Sequence, residues 1–357
     1  MKKQNKYFIV ALLLTILAVV AIVYKKGGFQ KSLDYEKLST AFAVQNTDAI
    51  TRIFIANMFG NKVLLSSTEE GWIVDQQKPA DMSKINDMLA ILNAIQVAQP
   101  VAKPAQQSTI QRLSVNAIKV EIFAMEPLFS IFGHPFFIKE RLIKTYFFGD
   151  ATPTNLGSYA LLEGMDEPYI IYKPGFRGYI TPTFSPTPVD WYSPQIFGTK
   201  LTQIQKASFI DIENPTNSFY VEKSGARSFS LFDFQKNLVI NYDTTLLINM
   251  LSEFRERNYE RMLSDISQSE KDSILQLGYY KEISVTDVDN QTTTMKLYHM
   301  IDEGTLYQDD VVIEAKATQI NKNRCYIIMN ENTDEIFTIQ FYHIDRQIQP
   351  LSYYLNQ

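Results

Sequence analysis

Short runs of alternating apolar and polar residues recur along the chain from about residue 47 onward. Gly, Asn and Pro break them, and the pattern predicts a strand-rich body. Ile50–Ile55, Lys62–Ser66 and Gly71–Val74 read as three strands joined by tight turns at Phe59-Gly60-Asn61 and near Glu69-Glu70, an antiparallel meander. The period then changes. Across Asp81–Val97 the apolar residues Ile85, Met88, Leu89, Leu92 and Ile95 keep helical spacing, with Asp81 or Ser83 placed to cap the helix. Pro100 and Pro104 are expected to end this unit. Strands resume at Ile118–Phe123, Lys144–Phe148, Ser158–Leu162 and Pro168–Tyr172.

The second half repeats the order. Strands are expected at Lys206–Ile212, Ser218–Glu222 and Ser228–Phe232. A helix follows over Tyr242–Tyr259, with Leu246, Leu247, Met250, Leu251 and Phe254 on its apolar face and Asp243 near its cap. Further strands fall at Tyr280–Val288, Thr294–Met300, Arg324–Met329 and Glu335–His343. Residue identity between the halves is low, but element order and spacing agree, which an internal duplication explains. Between the halves lies KPGFRGYITPTFSPTPVDWYSPQIF (173–197), rich in Pro and aromatics, which reads as a linker or strap.

The start of the chain has a different pattern. Tyr7–Tyr24 is YFIVALLLTILAVVAIVY, without an internal charge. As a helix it spans about 27 Å, close to the roughly 30 Å of a bilayer core. Lys2, Lys3 and Lys6 precede it, and Lys25 and Lys26 follow. Tyr7 and Tyr24 stand where interfacial aromatics belong. A cleaved signal peptide has the same basic start, but this apolar run is longer than a usual signal core. The expectation is therefore a single-pass anchor in the cytoplasmic (inner) membrane, with the body in the periplasm or outside. The fold class expected is α+β: an N-terminal transmembrane helix, then two duplicated, mainly antiparallel β-sheet units, each with a packed helix. The expected divisions are 1–26 for tail and anchor, 27–46 for a tether, 47–176 for the first repeat, 177–203 for the linker and 204–357 for the second repeat.

Certain residues carry a family resemblance. A Gly-Trp strand (Gly71, Trp72), an acidic cap and helix, a Phe147-Phe148-Gly149-Asp150 strand and a Gly157-Ser158-Tyr159-Ala160 strand follow in order. This order resembles the bacterial domain-of-unknown-function family numbered 4340, over about residues 48–260. Members look like single-pass envelope proteins, some encoded beside auxiliary subunits of gliding-type ABC transporters. The resemblance implies an extracytoplasmic, transporter-associated role and carries over no catalytic residue.

Composition narrows the function classes. The net charge of −5 speaks against a nucleic-acid partner, which needs a basic face. The single cysteine, Cys325, makes neither an internal disulfide nor a cysteine zinc site, and reads as a small core residue. The sequence holds no Gly-x-Ser-x-Gly, Ser-x-x-Lys, His-Glu-x-x-His, P-loop or Gly-x-Gly-x-x-Gly pattern. No cofactor is expected. His299 and His343 lie near the ends of late strands and, were those strands neighbours, could bind a metal with Asp302 or Asp345; the simpler reading is a pair of partly exposed strand histidines. Asp287-Val-Asp-Asn-Gln291 lacks the Gly and Glu of a calcium loop and reads as a hairpin turn.

Two stretches invite contact. Within Met125–Ile143, Leu128, Phe129, Phe132, Phe136 and Phe137 form a dense apolar patch interrupted by Gly133 and Pro135. It either covers the sheet as core or forms an exposed loop for a protein partner or the membrane. In the strap, Tyr179, Phe184, Trp191 and Tyr192 either staple the halves together or line a ligand cleft. Three functions follow: a non-catalytic, membrane-anchored accessory or scaffold protein with an envelope protein partner; a glycan- or peptide-binding module; and an unrecognised hydrolase. The first accounts for most of these features.

Overall fold

The structure is a computed structural model. It describes residues 35–356 apart from 132–133, 227 and 309–310, and leaves the side chains of 129–135 and 303–318 undescribed. The expected membrane span Tyr7–Tyr24 lies outside the described residues. Among the described residues no helix is long and apolar enough to cross a membrane.

The chain divides into two units, one ending at Tyr192 and the other beginning at Ser193. Unit 1 begins with helix α1 (Tyr35–Phe42) and strands β1 (Ile50–Ala56), β2 (Lys62–Thr68), β3 (Gly71–Val74) and β4 (Lys78–Pro79). Helix α2 (Met82–Ala94), β5 (Gln96–Pro100) and helix α3 (Lys103–Asn116) follow. The unit continues with β6 (Ile118–Ile131), β7 (His134–Ala151), β8 (Ser158–Leu162) and β9 (Tyr169–Tyr172). Its antiparallel sheet has the order β4-β3-β2-β1-β6-β7-β8-β9-β5.

Unit 2 opens with β10 (Gln195–Phe197), β11 (Ile204–Asp211), β12 (Phe219–Lys223), β13 (Phe229–Asp233) and β14 (Leu238–Val239). Helix α4 (Thr244–Ser252), β15 (Arg257–Asn258), β16 (Arg261–Met262) and helix α5 (Gln268–Gln276) come next. Strands β17 (Lys281–Asp287), β18 (Thr292–Gln308), β19 (Val311–Met329) and β20 (Phe337–Gln340) precede the short helices α6 (Phe341–Ile344) and α7 (Leu351–Tyr354). The main sheet has the order β14-β13-β12-β11-β17-β18-β19-β20-β16, and β10 pairs with β15 beside it.

The two sheet orders are the same topology twice. Strand β1 corresponds to β11, β6 to β17, β9 to β20 and the edge strand β5 to β16. The agreement reaches single residues. A bulge interrupts the β1–β6 pairing between Ile50 and Arg52, and another interrupts β11–β17 between Ile204 and Lys206. Asp81 caps α2 by accepting from the Ser83 and Lys84 amides, and Asp243 caps α4 from Thr245 and Leu246. Two antiparallel units built this way fit an internal duplication. Each cap satisfies otherwise orphaned helix amides, so Asp81→Ala and Asp243→Ala are each expected to cost about 1 kcal/mol, read as earlier thermal unfolding.

Each sheet buries one face under its capped helix. In unit 1, Ile85, Met88 and Leu92 of α2 pack with Ile53, Ile55, Val63, Val120, Ile122 and Phe148 of the sheet. In unit 2, Leu247, Met250 and Leu251 of α4 pack with Phe209, Val221, Val285 and Leu297. A second helix lies against alternate sheet residues. Leu113 of α3 sits so close to Gly149 that a Cβ there would come within 2.5 Å of it. Ile274 of α5 packs with Tyr298, Ile328 and Ile336.

Several expectations need correction. Pro104 does not end a unit: it stands in the first turn of α3, where its missing N–H costs nothing. Helix α5 was also unforeseen, although Ser267 and Glu270 form a capping box. The region read as a tether carries α1 from Tyr35 on, and Phe42 is fully buried in the first core. The expected helix to Tyr259 gives way after Ser252 to a 3₁₀ turn and the short β15. The final strand ends at Gln340, so His343 lies on α6.

Candidate functional site

The β6–β7 hairpin is far longer than its sheet requires. The last residue of β6 paired with β1 is Ala124, and β8 pairs with β7 only from Tyr146. Among the described residues, Met125 to Ile131 of β6 pair only with β7. This two-stranded ribbon projects about 24 Å at the usual rise per residue. In unit 2 the corresponding β17–β18 connection is a tight turn, in which Asp287 Oδ1 accepts from the amides of Asp289 and Gln291.

The ribbon carries much of the apolar patch. Leu128, Phe136, Phe137 and Ile138 are exposed, with Phe137 at 72%. Phe129 and Phe132 belong to the same stretch, but their side chains lie outside the described residues. Register pairs Pro127 with Ile138 and Phe129 with Phe136, and strand alternation puts Leu128 on the face opposite Pro127 and Ile138. Phe137 has φ +53°, a left-handed conformation that is unfavourable for a bulky side chain.

Below this patch charged residues enter the ribbon, beside the exposed Met125 and Leu142. Register places Glu126 opposite Lys139, and Ala124 opposite Arg141. Glu140 accepts a paired contact from Arg52, which holds its carboxyl below the usual range against the cost of partial burial. One step further, Lys144 Nζ donates to the carbonyls of Ala41 and Ala43, and the buried Tyr146 hydroxyl donates to that of Phe42. Burial pushes the Lys144 ammonium below the usual lysine range. The base of the ribbon is therefore tied to the end of α1.

The strap aromatics do not share one cleft. Phe184 is fully buried, its ring stacked on Phe148 at 4.5 Å between centroids. Trp191 is also buried, and its Nε1 donates to the Ser185 carbonyl at 2.8 Å. Tyr192 is half-buried and lies under the Lys78 ammonium, while Tyr179 is partly exposed. Only Trp191 of the four lines the cavity between α2 and the strap, about 470 Å³, whose wall also includes Lys84, Asp87, Lys173 and Phe176. Phe184 and Trp191 are thus part of the core of unit 1, and Trp191 also forms part of the wall of that cavity.

Sequence reasoning missed what Trp191 does. Its carbonyl accepts the amide of the cap residue Asp81 at 2.8 Å, and Tyr192 bridges Ala80. In unit 2 the Tyr354 carbonyl accepts the Asp243 amide at 2.8 Å, and Leu355 bridges Tyr242. Trp191 Nε1 bonds the strap backbone at Ser185, and Tyr354 Oη bonds it at Arg346. The segment up to Tyr192 is therefore the closing strap of unit 1, matched by the C-terminal segment of unit 2. Only the offset of about 162 residues between Asp81 and Asp243, carried on to Trp191 and Tyr354, would have revealed it.

The family model described as Domain of unknown function (DUF4340) matches residues 72–276, more than half of the chain. The chain belongs to the DUF4340 family. The matched stretch of this DUF4340 protein runs from Trp72 in β3 to Gln276 in α5 and includes both the ribbon and the strap. Neither the curated proteins nor the solved structures give a significant match.

Unit 2 of the DUF4340 chain holds the remaining candidates. The His299 ring stacks on Tyr280 at 3.9 Å and its Nε2 lies 3.0 Å from Glu213 Oε1. The oxygens of Asp302 accept from Asn321. His343 instead lines a separate charged cleft with Glu253, Arg257 and Arg346. Among the described residues, no group of three or more His, Cys, Asp or Glu side chains is placed to hold a metal. Cys325 is fully buried and its thiol is pushed up to about 12, so it is not poised as a thiolate.

Glu260 is firmly held in this unit by Arg324 and Gln340. Arg324 donates to it through two nitrogens, each at 2.8 Å, and Gln340 Nε2 donates at 2.7 Å. These bonds lower its pKa from 4.5 to about 2. Because the folded value lies below the unfolded one, the stabilisation is complete above pH 4.5 and is lost as pH falls towards about 2. With solvent screening it is worth about 1 kcal/mol. Glu260→Gln is expected to flatten the acid limb of the stability curve in this window, measured by denaturant midpoints against pH.

Proposed function

We propose that this DUF4340 protein is a non-catalytic accessory or scaffold protein, anchored in the cytoplasmic membrane by Tyr7–Tyr24 with its body on the extracytoplasmic side. The observation that carries the reading is the ribbon: a long β-hairpin, absent from the matching place in unit 2, that exposes Leu128, Phe136, Phe137 and Ile138. Contiguous exposed apolar surface is costly to maintain unless something covers it. The charge-free N-terminal span supports a membrane setting. The family resemblance adds a transporter-associated context by analogy.

Chemical crosslinking of the full chain in native membranes, followed by identification of attached proteins, tests the reading. A small, reproducible set of membrane proteins supports it. A chain that attaches to none, or that is released from membranes by alkaline carbonate, contradicts it.

One observation favours a second reading. The cavity between α2 and the strap falls within the size range of ligand sites and has Phe176 on its wall. A glycan- or peptide-binding role would require this cavity, and Phe176→Ala would then abolish ligand retention.

A further inference from the structure

We infer that the β6–β7 ribbon inserts its exposed residues Leu128, Phe136, Phe137 and Ile138 into the phospholipid bilayer as a second membrane contact, and that this contact fixes the orientation of unit 1. The inference rests on the anchored reading above and names the partner of its principal surface.

Three observations point to lipid. The first is distance along the chain. The apolar span ends at Tyr24 and α1 begins at Tyr35, an interval that reaches at most about 40 Å. Helix α1 then runs directly to the ribbon base, where Lys144 holds the carbonyls of Ala41 and Ala43. The ribbon is therefore held at the part of unit 1 that the anchor reaches first.

The second is that both faces of the ribbon are apolar. Phe136 and Ile138 are exposed on one side and Leu128 on the other, with Phe137 exposed between Phe136 and Ile138. A protein partner packed on the ribbon covers one face, whereas a bilayer covers both. The third is the order of chemistry along the ribbon. Towards the sheet the apolar band gives way on β7 to Lys139, Glu140 and Arg141, of which Lys139 and Arg141 are exposed and Glu140 is paired with Arg52. Long basic side chains there reach anionic headgroups while the rings sit deeper. The outer backbone edges of a two-stranded ribbon have no ladder partner, so burial is restricted to the interfacial zone, about 5–10 Å deep.

The test uses the full chain reconstituted in vesicles of phosphatidylethanolamine and phosphatidylglycerol, with no other protein. Phe137→Cys and Ile138→Cys are each labelled with an environment-sensitive dye on the folded protein, in which Cys325 is buried. Leu156→Cys, exposed on the β7–β8 connection, is the control. The inference expects blue-shifted emission at 137 and 138 and quenching by lipids brominated on their acyl chains, with neither effect at 156. It also expects Lys139→Glu with Arg141→Glu to reduce the quenching when phosphatidylglycerol is present. Ribbon labels that behave like the control overturn the inference, as do labels that become shielded only when membrane proteins are added back. In either case the accessory reading still stands if the chain resists carbonate extraction, so the two failures are distinct.

Discussion

Trp191→Ala is expected to destabilise unit 1 by about 3–5 kcal/mol, the range for truncating a large buried aromatic. The indole is buried in the first core and bonded to Ser185, and its carbonyl carries the Asp81 amide. Losing the ring leaves a cavity and loosens the strap that closes the capped helix. Hydrogen exchange followed by mass spectrometry reads the two units separately, which a single unfolding midpoint does not. Protection is expected to fall in α2 and in β1, β6 and β7, and to remain in unit 2. Tyr354→Ala is expected to show the mirror result, with loss confined to unit 2. Equal loss in both units for either variant would contradict the account of two separately closed repeats.

The second large effect concerns contact, with folding spared. The double substitution Phe137→Asp with Ile138→Asp is expected to change stability by no more than about 0.5 kcal/mol, since both side chains are exposed. At position 137 an aspartate also accommodates φ +53° better than phenylalanine does. The same pair places two carboxylates where the apolar band meets its partner. Contact formed by the ribbon is expected to fall at least about ten-fold, a penalty ordinary for acidic groups moved out of water. Dye quenching in vesicles and crosslinking yield in membranes both read this loss. An unaltered contact in a well-folded double variant would remove the ribbon from the account.

The sheets were legible in the sequence because most strands alternate cleanly between turn residues, although β6, β7, β18 and β19 run to 14, 18, 17 and 19 residues, well past the bounds that the pattern gives. The capped helices were legible because Asp81 and Asp243 precede apolar residues at helical spacing. Helices α3 and α5 were not. Their sequences, KPAQQSTIQRLSVN and QSEKDSILQ, place few residues in the core: Thr109 and Leu113 in one, Ile274 in the other. With so little apolar patterning, the N-terminal Pro of α3 looked like a terminator and the capping box of α5 passed unnoticed.

The strap was misleading for a different reason. Its prolines deny it a strand, so the sequence offered no partner for its aromatics. The partner is the first sheet, and Phe184 and Trp191 are buried by tertiary packing that no local pattern encodes. Within the candidate site, the apolar residues 128, 129, 132, 136 and 137 were visible as a patch, but exposure was not. Strand alternation cannot say whether a hairpin lies on its sheet or projects from it. That depends on where neighbouring strands stop, and here β1 ends its pairing at Ala124 while β8 begins at Tyr146.

The most direct measurement places a photoreactive residue at position 137 of the full chain in intact membranes, with position 156 as the control. Illumination is expected to attach bilayer lipid at 137 and nothing above background at 156. Equal yields at the two positions, or no adduct at 137 in a chain that remains membrane-bound, would contradict the claim that the ribbon is the contact surface of this protein.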